Sequence, residues 1–131
     1  MREILFRGKQ LDNGEWVKGY YAVIENPLSK DGKPEKHLIC NGTNVFNYEV
    51  IPDTVGQYTG LTDKNGKKIF EGDIVKHSIG TFIVKFSNGI FLSSLTEDNY
   101  LTFLCSIHNQ SEVIGNIHDN PELLKGAKDD A

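Results

Sequence analysis

Residues 57–76, QYTGLTDKNGKKIFEGDIVK, decide how the rest of the chain is read. At its centre Asp63-Lys64-Asn65-Gly66 is a turn signal, because Asn tolerates and Gly freely accepts the positive φ that tight hairpins demand. Residues 58–61 precede that turn and Lys68-Ile69-Phe70 follows it; a second break at Glu71-Gly72-Asp73 then leads into Ile74 and Val75. Neither G-x-x-x-x-G-K-[ST] nor G-x-G-x-x-G is present, and no strand-to-helix transition aims a helix N-terminus at a phosphate. The stretch therefore reads as a β-hairpin whose Ile69, Phe70, Ile74 and Val75 enter a core. A hairpin alone gives no reason for Gln57-Tyr58-Thr59 ahead of it.

The same dipeptide punctuates the flanking sequence at Asn13-Gly14, Asn41-Gly42 and Asn88-Gly89, each a signal for a two-residue hairpin turn. Asn41-Gly42 is the weakest, since Thr43 and Asn44 extend the polar run. Residues 4–8 and 16–24 are apolar, aromatic and β-branched, as strands are, and so are residues 37–40, 47–51, 81–86, 90–92 and 113–117. Residues 26–36, NPLSKDGKPEK, are too charged and too rich in proline for a core and are expected to form an exposed loop. Residues 96–107 fit helical and strand periods alike; a short helix or turn capped by Thr96 and leading into a strand is expected. Asn120 followed by Pro121 predicts a short helix ending before Gly126, with a disordered tail. DNGEWVKG at 12–19 faintly echoes KNGKKIFEG at 64–72, a likeness that unrelated hairpins also reach.

At 131 residues the chain has room for one compact domain or two small β modules. Its net charge of −4, with both signs well mixed, argues against a generic phosphate-backbone binder. No apolar run approaches the roughly 20 residues that span a bilayer, and residues 1–7 do not open a signal peptide, so an intracellular protein is expected. Cys40 and Cys105 are too few for a disulfide scaffold and fit free thiols in a reducing compartment.

Chemistry-bearing patterns are sparse. His37-x-x-Cys40 and Cys105-x-x-His108 together hold the donors of a tetrahedral zinc site, yet residues three apart on a strand point to opposite faces, and buried cysteines with surface histidines are the stronger reading. Asp63, Glu71 and Asp73 are carboxylates in one short stretch, a composition that suits acid/base work, but each also sits where a turn wants it. His77 and His118 lack a nucleophile at a diagnostic spacing, and G-x-S-x-G, H-E-x-x-H and C-x-x-C are absent. Lys64, Lys67, Lys68, Lys76 and Lys85 interleave with Tyr58, Phe70, Phe82 and Phe86, as in small barrels that bind single strands; phenylalanines at alternating strand positions are first of all core.

The opening stretch resembles the Q-Y-T-G-L-x-D-x-N-G-x-x-I-[YF]-E-G-D-I-V signature of the YopX family of bacteriophage and prophage proteins. Arg2-Glu3-Ile4-Leu5-Phe6-Arg7 resembles its R-E-I-x-F-R opening, and residues 112–124, EVIGNIHDNPELL, its close. The resemblance implies a mainly β protein with an SH3-like small barrel around E-G-D-I-V, and it carries no activity or site residue. The expected organisation is an N-terminal hairpin region over 1–56, the barrel over 57–118, and a short helix with tail over 119–131. The expected function is that of a non-enzymatic phage or prophage accessory protein without cofactor or metal, in the cytoplasm of the bacterial host. It would bind protein, as a homo-oligomer or with a host protein; a small-barrel nucleic-acid binder is the alternative, and no membrane is involved. Gln57, Tyr58, Thr59, Asp63, Lys64, Lys67, Lys68, Glu71 and Asp73 form the candidate interaction surface.

Overall fold

A computed structural model describes residues 4–25, 35–41, 47–87, 89–95 and 101–123. The protein is mainly β, and the chain divides into two compact units, Met1–Gln57 and Tyr58–Ala131. In the first, β1 (Phe6–Lys9), β2 (Trp16–Glu25), β3 (Glu35–Cys40) and β4 (Asn47–Glu49) lie antiparallel in the order β4-β3-β2-β1. A 3-10 turn at Pro52–Thr54 then delivers the chain to β5 (Gly56–Thr62), whose first residues pair with β1, Phe6 opposite Gln57.

Two glycines shape this unit. The N-terminal half of β2 pairs with β1 and its C-terminal half with β3. At the handover a Cβ on Gly19 would collide with the Cys40 carbonyl, so only glycine lets the backbones approach this closely. Gly8 likewise makes room for buried Val50, whose Cβ would lie 3.1 Å from an added Cβ. Ile39 and Val50 are the most deeply buried apolar residues of this unit. Thr54 ties the 3-10 turn to β1: its hydroxyl donates to the Ile51 carbonyl at 2.6 Å and accepts the Lys9 N–H at 2.9 Å.

In the second unit β5 continues and pairs with β6 (Lys68–Phe70). After it come β7 (Asp73–His77), β8 (Gly80–Ser87), β9 (Ile90–Leu95), β10 (Leu101–Phe103), the one-turn helix α1 (Leu104–Ile107), a 3-10 turn (His108–Gln110) and β11 (Glu112–Asn116). Strands β7 to β11 make a five-stranded antiparallel sheet in the order β10-β9-β8-β7-β11. Period-two alternation sends Phe82 and Val84 of β8 inward, where they join Ile69, Val75, Leu104 and Ile107 in one cluster, with Leu61, Phe91 and Val113 packed around it. Burying a side chain such as Phe82 contributes about 1.5–3 kcal/mol. Ile69, Phe70, Ile74 and Val75, the apolar residues of the opening stretch, are all buried.

Several local expectations differ from what forms. Between β5 and β6 the turn is not a two-residue one: Asp63 N–H donates to the Lys67 carbonyl and Gly66 N–H to the Asp63 carbonyl, leaving a three-residue loop with Gly66 at φ +82°. Asn13-Gly14 also sits in a longer loop, closed by Gln10 N–H to the Glu15 carbonyl. Ser87 pairs with Ile90, so two residues do separate β8 from β9, although Asn88 lies outside the described residues. Of residues 96–107 the described part is 101–107, in which a strand comes first and a one-turn helix second; the start of the expected helix or turn lies outside the described residues. Phe103 keeps extended geometry, and the turn starts at Leu104 because Leu104 and Ile107, three apart, then share the buried side. Thr96, expected as a cap, is outside the described residues.

Glu35 and Lys36, assigned to the exposed loop, belong to β3, paired with Glu25 and Ile24; residues 26–34 are not among those described. At the C-terminus Leu123 N–H donates to the Asn120 carbonyl, while the Asn120 side chain turns back to Asn116 rather than forward as a helix cap. Residues 124–131 lie outside the described part.

Candidate functional site

The candidate surface separates into buried connectors and exposed charges. Asp63 is 5 % exposed and places its carboxylate at the centre of the loop: Oδ1 accepts the Asn65 and Lys67 N–H groups at 2.8 and 2.9 Å, and Oδ2 accepts Val113 N–H at 2.9 Å. Lys64 N–H adds a second link to the chain before β11 through the Ser111 carbonyl. Burial favours the neutral acid, but the Val113, Lys67 and Asn65 N–H groups and the Lys67 charge outweigh it and hold the Asp63 pKa below its ordinary value. This carboxylate locks a turn, and its proton affinity is displaced away from that of a general base working near neutrality.

Thr59 resolves why the hairpin carries its particular lead-in. From Tyr58 to Thr62 β5 advances four residues while β6 retreats two, so two extra residues bulge out of β5. Gly60 supplies the bend at φ +87°. The Thr59 hydroxyl spans the gap, donating to the Ile69 carbonyl at 2.8 Å and accepting Leu61 N–H at 3.2 Å. Tyr58 packs on Phe70 with ring centroids 5.6 Å apart, under the Lys68 ammonium. Gln57 holds the register against Phe6.

Asp73, 1 % exposed, accepts Phe70 N–H on Oδ2 at 2.8 Å across the Glu71-Gly72 bend, where Gly72 takes φ +91°. Tyr58, Thr59, Asp63 and Asp73 are therefore buried framework and present no side chain for contact, a correction to their place in the expected surface. Lys64, Lys67 and Lys68 are exposed, and Gln57 and Glu71 are half-buried. Lys64 Nζ lies 3.9 Å from Glu112, a solvent-exposed pair worth little.

Of the lysine and aromatic patch, Tyr58, Phe70 and Phe82 are buried, whereas Phe86 is 47 % exposed and packs against Phe91 with centroids 4.7 Å apart. His77 ends β7 and accepts Ile79 N–H, with its ring edge on Phe82. His118 follows a clasp in which Asn116 Oδ1 accepts the His118 and Asp119 N–H groups while Asn120 Oδ1 accepts Asn116 N–H. Gly115 leaves the room that Asn120 occupies, and a Cβ there would strike its amide. Among the described residues no group of three or more His, Cys, Asp or Glu gathers as a metal site. His37 pairs with Val23 and Cys40 with Tyr20 on opposite sides of β3; the His37 ring shares a hydrogen bond with the Tyr21 hydroxyl, and His108 Nδ1 donates to the Thr62 carbonyl.

Two surfaces escaped the sequence reading. On the five-stranded sheet Phe103 pairs with Leu92, and Ile90 lies two residues from Leu92 on the same side; Phe103 is 53 % and Ile90 46 % exposed. In the first unit β1 and β2 set Arg7 opposite Lys18 and Lys9 opposite Trp16, with the Arg7 guanidinium 4.8 Å and the Lys9 ammonium 5.7 Å from the indole centroid. The signal was present as R-x-K and W-x-K, two period-two patterns that only pairing brings together.

Among curated proteins none matches this sequence. The structure is similar to the crystal structure of protein EF1440 from Enterococcus faecalis, with a TM-score of 0.55 and 26 % identity over 95 % of this chain and 99 % of that one. Residues 5–125 match the family described as YopX protein. That match takes in the bulged hairpin, the Asp63 turn and the Asn116–Asn120 clasp, and on it the chain belongs to the YopX family.

Proposed function

We propose that this chain is a non-enzymatic phage or prophage accessory protein that works in the bacterial cytoplasm by binding protein, first of all a second copy of itself. The observation that carries the reading is the contiguous apolar group Ile90, Leu92 and Phe103 on the five-stranded sheet. A two-fold contact sets such a group against its own copy, which makes self-association the simplest way to cover it. Its non-enzymatic character is supported by the use of both Asp63 oxygens, and of Asp73 Oδ2, as acceptors for backbone N–H groups. An SH3-like barrel over residues 57–118 is part of the proposal; the return of β11 beside β7, which puts the sheet's last strand next to its first, supports it. No described helix is long and apolar enough to cross a membrane.

Light scattering on the full chain tests the reading. An oligomer that becomes monomeric on Phe103→Lys or Ile90→Lys is the expected result. A wild-type protein that stays monomeric at high concentration removes self-association and leaves a host protein as the partner.

A further inference from the structure

We propose that a cavity at a seam of the first unit holds an arginine side chain of a partner protein, independently of self-association through Ile90, Leu92 and Phe103. The seam forms where the chain after β4 returns to the end of β1: Gln10 bridges Val50, Ile51 N–H donates to the Lys9 carbonyl at 2.9 Å, and Leu11 N–H donates to the Glu49 carbonyl at 2.8 Å. The loop that follows is held by Gln10 N–H on the Glu15 carbonyl and by Glu15 N–H on Asn13 Oδ1, each at 2.9 Å. Beside these bonds lies a cavity of about 190 Å³ lined by Gln10, Leu11, Asp12, Tyr48 and Glu49. Backbone pairing fixes its walls before any ligand arrives, which lowers the ordering cost of binding.

Size, charge and shape select the occupant. Pockets for cofactors and drug-sized molecules run to roughly 300–1,000 Å³, so this one suits a single side chain. Residues 10–15 and 48–54 contain Asp12, Glu15, Glu49 and Asp53 but no lysine or arginine, and neighbouring Lys9 is drawn over the Trp16 ring. Asp12 and Glu49 are exposed, and among the described residues no ion pair or hydrogen bond engages either carboxylate. A divalent cation such as calcium takes about six or more oxygen ligands, and among the described residues no group of three or more His, Cys, Asp or Glu assembles. An organic cation fits better. The guanidinium of arginine has donors enough for two carboxylates in one planar fork, and its flat face stacks on a ring such as that of half-buried Tyr48. Its methylene stem finds an apolar neighbour in Leu11, which is 58 % exposed. Lysine brings the same charge without the fork or the face.

NMR titration of the full chain with a capped Gly-Arg-Gly peptide tests this, with the Leu11 methyl and Tyr48 ring signals as reporters. Both should shift and saturate, with a dissociation constant on the order of millimolar for one side chain acting alone. The capped Gly-Lys-Gly peptide should bind more weakly, and the uncharged Gly-citrulline-Gly peptide should not bind. Asp12→Asn and Glu49→Gln turn exposed carboxylates into amides of the same shape. Each should weaken binding about threefold with an unchanged thermal melt, whereas Glu112→Gln and Phe103→Lys in the second unit should leave it unaffected. Absence of any shift at Leu11 and Tyr48 would overturn the proposal. So would equal binding of the citrulline or lysine peptide, or unaltered binding by the double variant Asp12→Asn, Glu49→Gln. Tighter binding of free methylguanidinium than of the peptide would overturn it as well, by making the cavity a small-ion site.

Discussion

Asp63 does at a single residue what a longer loop would otherwise need several to do. Asp63→Ala leaves three backbone donors without their acceptor and should cost on the order of 3 kcal/mol, read as a lower urea midpoint. The pH dependence follows from the lowered folded pKa. In the unfolded chain the carboxyl titrates near about 4, so its stabilisation is fully present above that pH and is lost as pH falls through the lower folded value. Urea midpoints taken between neutral pH and strong acid should therefore fall more steeply below that point for the wild type than for Asp63→Asn. Ser93 makes the opposite case. Its hydroxyl is fully buried with no hydrogen-bond partner, so Ser93→Ala should leave the melting temperature unchanged or raise it; a clear drop would mean that the hydroxyl has a partner.

At the scale of elements, the bulge in β5 and the clasp after β11 are built by side chains that substitute for missing ladder bonds. Thr59→Val keeps the shape and removes the hydroxyl, stranding the Ile69 carbonyl and Leu61 N–H, at about 1–3 kcal/mol. Faster hydrogen exchange at the Leu61 amide is the specific sign, and Thr59→Ser should restore most of it. Gly115→Ala should harm stability more than Gly14→Ala: the first meets Asn120, whereas the second meets open space and bears only the strain of φ +71°, about 1 kcal/mol. Paired thermal melts decide this, and equal losses would mean that the clasp yields to admit a methyl group.

For the whole molecule, salt tests how the copies are held. Apolar association depends little on ionic strength, so raising salt from about 50 to 500 mM should leave the oligomer mass unchanged. An oligomer that dissociates with salt would instead point to a contact held by charge.

Strand content, the turn at Asp63, the burial of Ile69, Phe70, Ile74 and Val75, and the left-handed glycines at Gly14, Gly66 and Gly89 were legible in the sequence. These follow from φ preferences and from alternation over a few neighbouring residues. Tertiary structure alone decided that Asp63 reaches Val113, fifty residues away. It also decided that Thr59 bridges a bulge, that Tyr58 and Phe82 turn inward from an apparent stacking patch, and that Arg7 meets Lys18. Each of these depends on the register between strands, which is fixed by long-range pairing and by the competition of side chains for buried volume. No window of adjacent residues contains that information.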